Sequence, residues 1–96
     1  MNKYTLSLEA DKDLSDIYDY SIFKFGQAQA ETYLTDLERT LNLLSQNTNI
    51  GETRTELSQG LKSFVFKSHT IFYEIEVDGI FVLRILHHSR DVKNLW

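Results

Sequence analysis

Residues 69–88 read HTIFYEIEVDGIFVLRILHH, two runs of alternating apolar and polar side chains on either side of Asp78-Gly79. Asp-Gly between alternating runs is the strongest short hairpin signal. The pattern predicts strands at His69–Val77 and Ile80–His87, with Leu61–Lys67 as a third. Ahead of them the period changes. Leu14, Ile17, Tyr18, Ser21, Ile22 and Phe25 form one helical stripe, predicting a helix from about Ala10 to Phe25. Gly26 supplies a stop, and Ala30, Tyr33, Leu34, Leu37, Leu41 and Leu44 predict a second helix to about Gln46. So short a joint implies an antiparallel helical hairpin. Tyr4, Leu6 and Leu8 alternate with polar neighbours and predict an opening strand. The expected order is β-α-α-β-β-β, an α+β fold with the hairpin on one face of an antiparallel sheet, as a single domain over 1–96.

Composition narrows the chemistry. The chain of 96 residues carries 10 Lys+Arg against 14 Asp+Glu, a net charge of −4. Residues 1–56 hold most of the acid, and 57–96 are mildly basic. An acidic balance argues against a protein built to grip phosphate backbones. With no Cys, disulfides and thiolate metal sites are excluded. Neither a signal-like apolar run nor a stretch of ~20 apolar residues is present, so a cytoplasmic protein without a membrane span is the expectation. No G-x-S-x-G elbow or glycine-rich phosphate loop occurs. His87 and His88 are adjacent on a predicted strand, which should aim them at opposite faces and deny them a shared metal. No catalytic residue, metal or cofactor is assigned. An RNA-cleaving set could be composed only from Glu56 as base with Arg84 and His87 or His88.

Alternation also assigns faces. Ile71, Tyr73, Ile75 and Val77 should floor the helices, together with Phe81, Leu83 and Ile85. The opposite face would then expose Phe72, Val82 and Leu86 beside Arg84 and His88, too apolar for a surface meeting only water. A partner segment is expected there, resting on Phe72, Val82 and Leu86, with Arg84 as charged anchor and either Phe64 or Leu61 with Val65 joining them according to register. The alternative is that Leu95 and Trp96 fold back and cap the patch in cis.

The run Arg84-Ile85-Leu86-His87-His88-Ser89-Arg90-Asp91 resembles the closing motif of ParE-type toxins. Gly51-x-x-Arg54-x-Glu56-Leu57-x-x-Gly60-Leu61-Lys62-Ser63-Phe64 and His69-x-Ile71-Phe72-Tyr73 are similar to that family's middle stretches. Ala10-x-x-Asp13-Leu14-x-x-Ile17-x-x-Tyr20 and Gly26-x-x-Gln29-Ala30-x-x-Tyr33-Leu34 are similar to its helical hairpin. Lys62 stands where Arg is usual, and Thr48 where Pro is common. The resemblance implies the fold shared by ParE and RelE proteins and a toxin of a type II toxin–antitoxin pair. It implies a protein that poisons DNA gyrase and is neutralised, in a hetero-oligomer, by a flexible segment of its antitoxin. Arg84, His87, His88, Arg90 and Asp91 become the candidates for gyrase engagement, and Phe64, Phe72, Val82, Arg84 and Leu86 for antitoxin binding. RelE relatives cut messenger RNA on the ribosome, usually with a Tyr near the C-terminus. Here no Tyr follows Tyr73 and basic residues are few, which favours the gyrase reading over the nuclease.

Overall fold

The computed structural model describes residues 3–96; Met1 and Asn2, part of the expected 1–96 domain, lie outside the described residues. The chain runs β1 (Lys3–Leu6), α1 (Leu8–Phe25), α2 (Gln27–Gln46), β2 (Glu52–Thr53), β3 (Leu61–Phe66), β4 (His69–Glu76), β5 (Gly79–His87) and a short 3₁₀ turn (Val92–Asn94). The α+β fold and its order are as expected, with two differences. β2 adds a two-residue edge strand, too short for alternation to announce. β1 pairs with β5 in parallel, so the sheet is mixed, in the order β1-β5-β4-β3-β2.

Local chemistry sets the boundaries. Leu8, expected in the strand, is instead the first residue of α1, because Ser7 ends the extended segment as an N-cap. Its hydroxyl oxygen accepts from the Ala10 N–H at 2.9 Å and donates to the Leu83 carbonyl at 2.7 Å. Gly26, at φ +90°, is the whole joint between the helices, and its N–H closes α1 on the Ile22 carbonyl. Tyr73 anchors the loop after α2: its hydroxyl donates to the Thr48 carbonyl at 2.9 Å and accepts from the Gly51 N–H at 3.0 Å. Burial raises the phenol above its ordinary range.

The expected faces fail along β5, for a definite reason. Phe72 pairs with Arg84 but Tyr73 pairs with Val82, so Leu83 is an extra residue opposite that junction. A bulge of this kind breaks the period of two. Before it, Ile80 and Val82 turn toward the helices and join Ile71, Tyr73, Leu37, Leu41 and Leu44 in the main core; after it Ile85 does so. Leu83 and Leu86 fall on the other side, with Leu61 and Phe72. Val82 is therefore fully buried beneath the helices, not part of an open face. Ile75 and Val77, expected in the floor, are exposed, Val77 by 99%.

The β4–β5 register also corrects the turn. Glu76 pairs with Gly79, so the two connecting residues are Val77 and Asp78, and Gly79 opens β5. At φ +147°, Gly79 lies against Lys3, whose carbonyl occupies the space a Cβ would need. Gly26 has open space around it, so only backbone strain opposes a side chain there. Gly79→Ala is expected to destabilise the fold by several kcal/mol or prevent folding, against about 1–2 kcal/mol for Gly26→Ala. Urea unfolding of the two variants checks the ranking.

Candidate functional site

β1 accompanies β5 only as far as Val82, which leaves residues 83–87 without a strand on that edge. Side chains of α1 take over. Below the Ser7–Leu83 hydrogen bond, the Asp13 carboxylate accepts the Ile85 N–H at 2.9 Å and both Arg84 Nε at 2.9 Å and Arg84 Nη2 at 3.0 Å. The guanidinium is thus held bidentately, and the carboxylate raises its already high pKa further. Arg84 was expected on the open sheet face; it reaches back to α1 instead.

Beyond this clasp β5 ends in a cluster of rings. His69 and His87 meet edge to face at 5.4 Å, and His87 and His88 lie 4.3 Å apart. The expectation that His87 and His88 point apart fails because the strand stops at His87, and His88 turns to donate its N–H to the Ser68 carbonyl. Among the described residues no group of three or more His, Asp or Glu converges as a metal site. His69 is half-buried, and burial, with His87 and His88 beside it, lowers its pKa to about 4. Its Nδ1 shares a hydrogen bond with the Tyr33 hydroxyl at 2.7 Å, the tautomer setting which group donates. Burial raises that phenol's pKa in turn.

A cleft of about 350 Å³ opens between α1 and the end of β5, lined by Asp13, Asp16, Tyr20, His87 and Arg90 over an apolar floor. Past it the chain folds across the far side of the sheet. Asp91 accepts from the Lys93 N–H at 3.2 Å and the Asn94 amide at 2.8 Å, which shapes the 3₁₀ turn. Val92 then packs on the Leu61–Phe72–Leu86 cluster, and the Trp96 ring lies 4.9 Å from that of Phe72. Phe72 and Leu86 are 1% and 2% exposed. The far face is covered by the chain's own segment, the in-cis arrangement weighed against a partner above.

A family profile described as ParE toxin of type II toxin-antitoxin system, parDE, matches residues 4–92. The chain belongs to the ParE toxin family. It is 35% identical over 92 residues to Toxin ParE1 of Mycobacterium tuberculosis, covering 95% of this chain and 94% of the relative. To Toxin ParE1 of Caulobacter vibrioides it is 31% identical over 93 residues, covering 97% and 96%. Its fold matches a chain of the chromosomal ParDE TA system from P. aeruginosa with a TM-score of 0.77 at 22% identity, over 91% of this chain and 96% of that one.

In this ParE-family chain the expected site residues divide. His87, His88, Arg90 and Asp91 form one exposed edge, with Arg84 behind them, clasped by Asp13. The five antitoxin candidates do not share a face. Phe64 packs against the main core, Val82 lies inside it, Arg84 is engaged by α1, and Phe72 and Leu86 are beneath the segment after β5. Nor do Glu56, Arg84 and His87 assemble. Arg54 donates to Glu56 at 2.6 Å, holding its carboxyl below the usual range, and reaches Ser63 Oγ at 3.2 Å. Glu56 lines a cleft with Leu57, Lys93 and Trp96, whereas His87 lines clefts against the helices.

Asp13 is the residue the periodicity argument passed over. It sits three residues after Ala10 and four before Ile17, both buried, so it is a carboxylate on the inward stripe of α1. That position calls for a buried partner, and Arg84 is that partner.

His69 gives the site a pH signature. Its native pKa lies below the unfolded value of 6.5, so the unfolded chain binds the proton first as pH falls. Stability is complete above the unfolded value and declines between pH ~6.5 and ~4, by about 1–2 kcal/mol once partial solvent screening is allowed for. His69→Gln is expected to flatten that decline in urea titrations at pH 7 and pH 4.5. An unchanged slope removes His69 as its source.

Proposed function

We propose that this ParE-family chain acts by binding DNA gyrase in the cytoplasm, and that a cognate antitoxin neutralises it. The separation of Glu56, Arg84 and His87 carries the choice between gyrase poison and RelE-like nuclease. General acid–base cleavage needs its groups within hydrogen-bond reach of one phosphate, and here each is committed elsewhere. The acidic net charge points the same way. His87, His88, Arg90 and Asp91 supply the exposed polar edge for gyrase, and Arg84 sets its position through Asp13. For the antitoxin, Phe72 and Leu86 become accessible when Val92 and Trp96 lift away. Phe64 contributes at the opposite face of the sheet, and Val82 takes no direct part.

Two measurements test this reading. Purified gyrase mixed with the protein is expected to accumulate cleaved DNA and lose supercoiling activity, while message in a translation extract stays intact. His87→Ala combined with Arg90→Ala is expected to weaken inhibition at least tenfold. Codon-positioned message cuts with normal supercoiling would reverse the assignment to a ribosome-dependent nuclease. Trp96 is the only tryptophan of the chain, so antitoxin binding should move its emission to the red as it leaves Phe72. Unchanged emission on complex formation excludes displacement of this segment.

A further inference from the structure

A cleft of about 410 Å³ lies where the tip of the helical hairpin meets the β3–β4 turn and the end of β5. Lys24, Gln29, Lys67, His69 and His87, with two serines, supply its polar groups, and Tyr20 and Tyr33 present rings to it. Among the described residues no carboxylate lines it, although acidic residues outnumber basic ones in the chain and the neighbouring cleft contains Asp13 and Asp16.

The two lysines are arranged alike. Lys24 Nζ lies 5.9 Å from the centre of the Tyr20 ring, and Lys67 Nζ 5.4 Å from that of Tyr33. Each ammonium thus accompanies an aromatic ring of the same cleft. Lys67 also approaches Asp36 at 3.4 Å, with both side chains partly in solvent. Exposed pairs of that kind are weak, and an incoming anion can compete for the ammonium.

Backbone strain provides a second observation. Lys67 has φ +51°, and among the described residues it is the only non-glycine in the left-handed region. Gly or Asn would occupy this turn with less strain. A long cation is held there instead, next to the cleft. Strained positions of this type concentrate where a side chain is needed for binding.

We propose that this cleft binds a nucleoside monophosphate unit, its phosphate between Lys24, Lys67 and His87 and its base against the tyrosine rings. Phosphate suits a lining with two ammonium groups and no carboxylate of its own, competing only with the exposed Asp36 for Lys67. Aromatic faces accept any base by stacking, without sequence preference. The cleft's size falls within the range of small-ligand sites. A free nucleotide and the 5′-phosphorylated end of a strand share this chemistry. Neither depends on gyrase being the target, so this inference and the functional reading can fail separately.

The test is calorimetric titration of the full chain with AMP, adenosine, inorganic phosphate and a 5′-phosphorylated dinucleotide. AMP is expected to bind saturably, with adenosine and phosphate each at least tenfold weaker. A dinucleotide matching or exceeding AMP identifies a strand end as the ligand, and a weaker one a free nucleotide. Lys67→Asn should weaken AMP binding at least fivefold while its urea midpoint holds or rises, because Asn relieves the turn. Lys24→Ala should weaken binding similarly, and Lys12→Ala, outside the cleft, should not. Absence of saturable AMP binding, or binding indifferent to Lys24 and Lys67, overturns the proposal. So does a glutamate-rich peptide that binds through these lysines while AMP fails to compete.

Discussion

Among the described residues, half of β5 has no strand on its outer edge, and the carboxylate of Asp13 stands in for one. A free edge of that length would leave the Ile85 N–H without a backbone partner. Asp13 takes it and the Arg84 guanidinium together, while Ser7 takes the Leu83 carbonyl. These contacts tie the first two turns of α1 to the edge of the sheet. They hold the end of β5 in the position from which His87 turns toward His69 and the chain departs toward Arg90. Losing the carboxylate would strand a polar N–H and a guanidinium together, a defect of about 1–3 kcal/mol.

The sheet therefore separates two apolar clusters of unlike character. The main one, between helices and sheet, has its helix and strand side chains interleaved from Leu37 to Ile85. The smaller one, of Leu61, Phe72 and Leu86, is closed by Leu57, Leu83, Val92 and the Trp96 ring. Among the described residues, the hydrogen bonds of residues 89–96 stay within 87–95. The cover thus has no hydrogen bond to the sheet and is held chiefly by apolar contact, with Lys93 facing the Glu56 carboxylate. Regions secured that way occupy the low end of the stability range within a fold.

Much of the fold was legible because its long elements obey one period each. The helical stripes from Leu14 to Phe25 and from Ala30 to Leu44 place α1 and α2 without tertiary information, and Gly26 marks their joint. Ile71 and Tyr73 face the helices as alternation requires. Three things escaped. β2 is too short to carry a period. The parallel pairing of β1 depends on where the chain returns after more than seventy residues. The bulge at Leu83 leaves no mark in composition, since every residue around it is equally at home in a strand. Candidate-site errors descend from it: Val82 exchanged faces, and Arg84 found Asp13 rather than an open face. The resemblance in residues 84–91 was unaffected, because a motif survives a shift that reverses which way its side chains face.

The same bulge limits how this sequence can change in length. Remove Leu83 and β5 regains strict alternation with Ile85 and Leu86 still in their own clusters, at the cost of the carbonyl that accepts from Ser7. Add one, and the Ile85 N–H moves off Asp13. Point substitutions at Leu83 leave the step in place, whereas a residue removed elsewhere in the strand exchanges the faces of those between the gap and the bulge. Along this one strand, length is free to change only at the step itself.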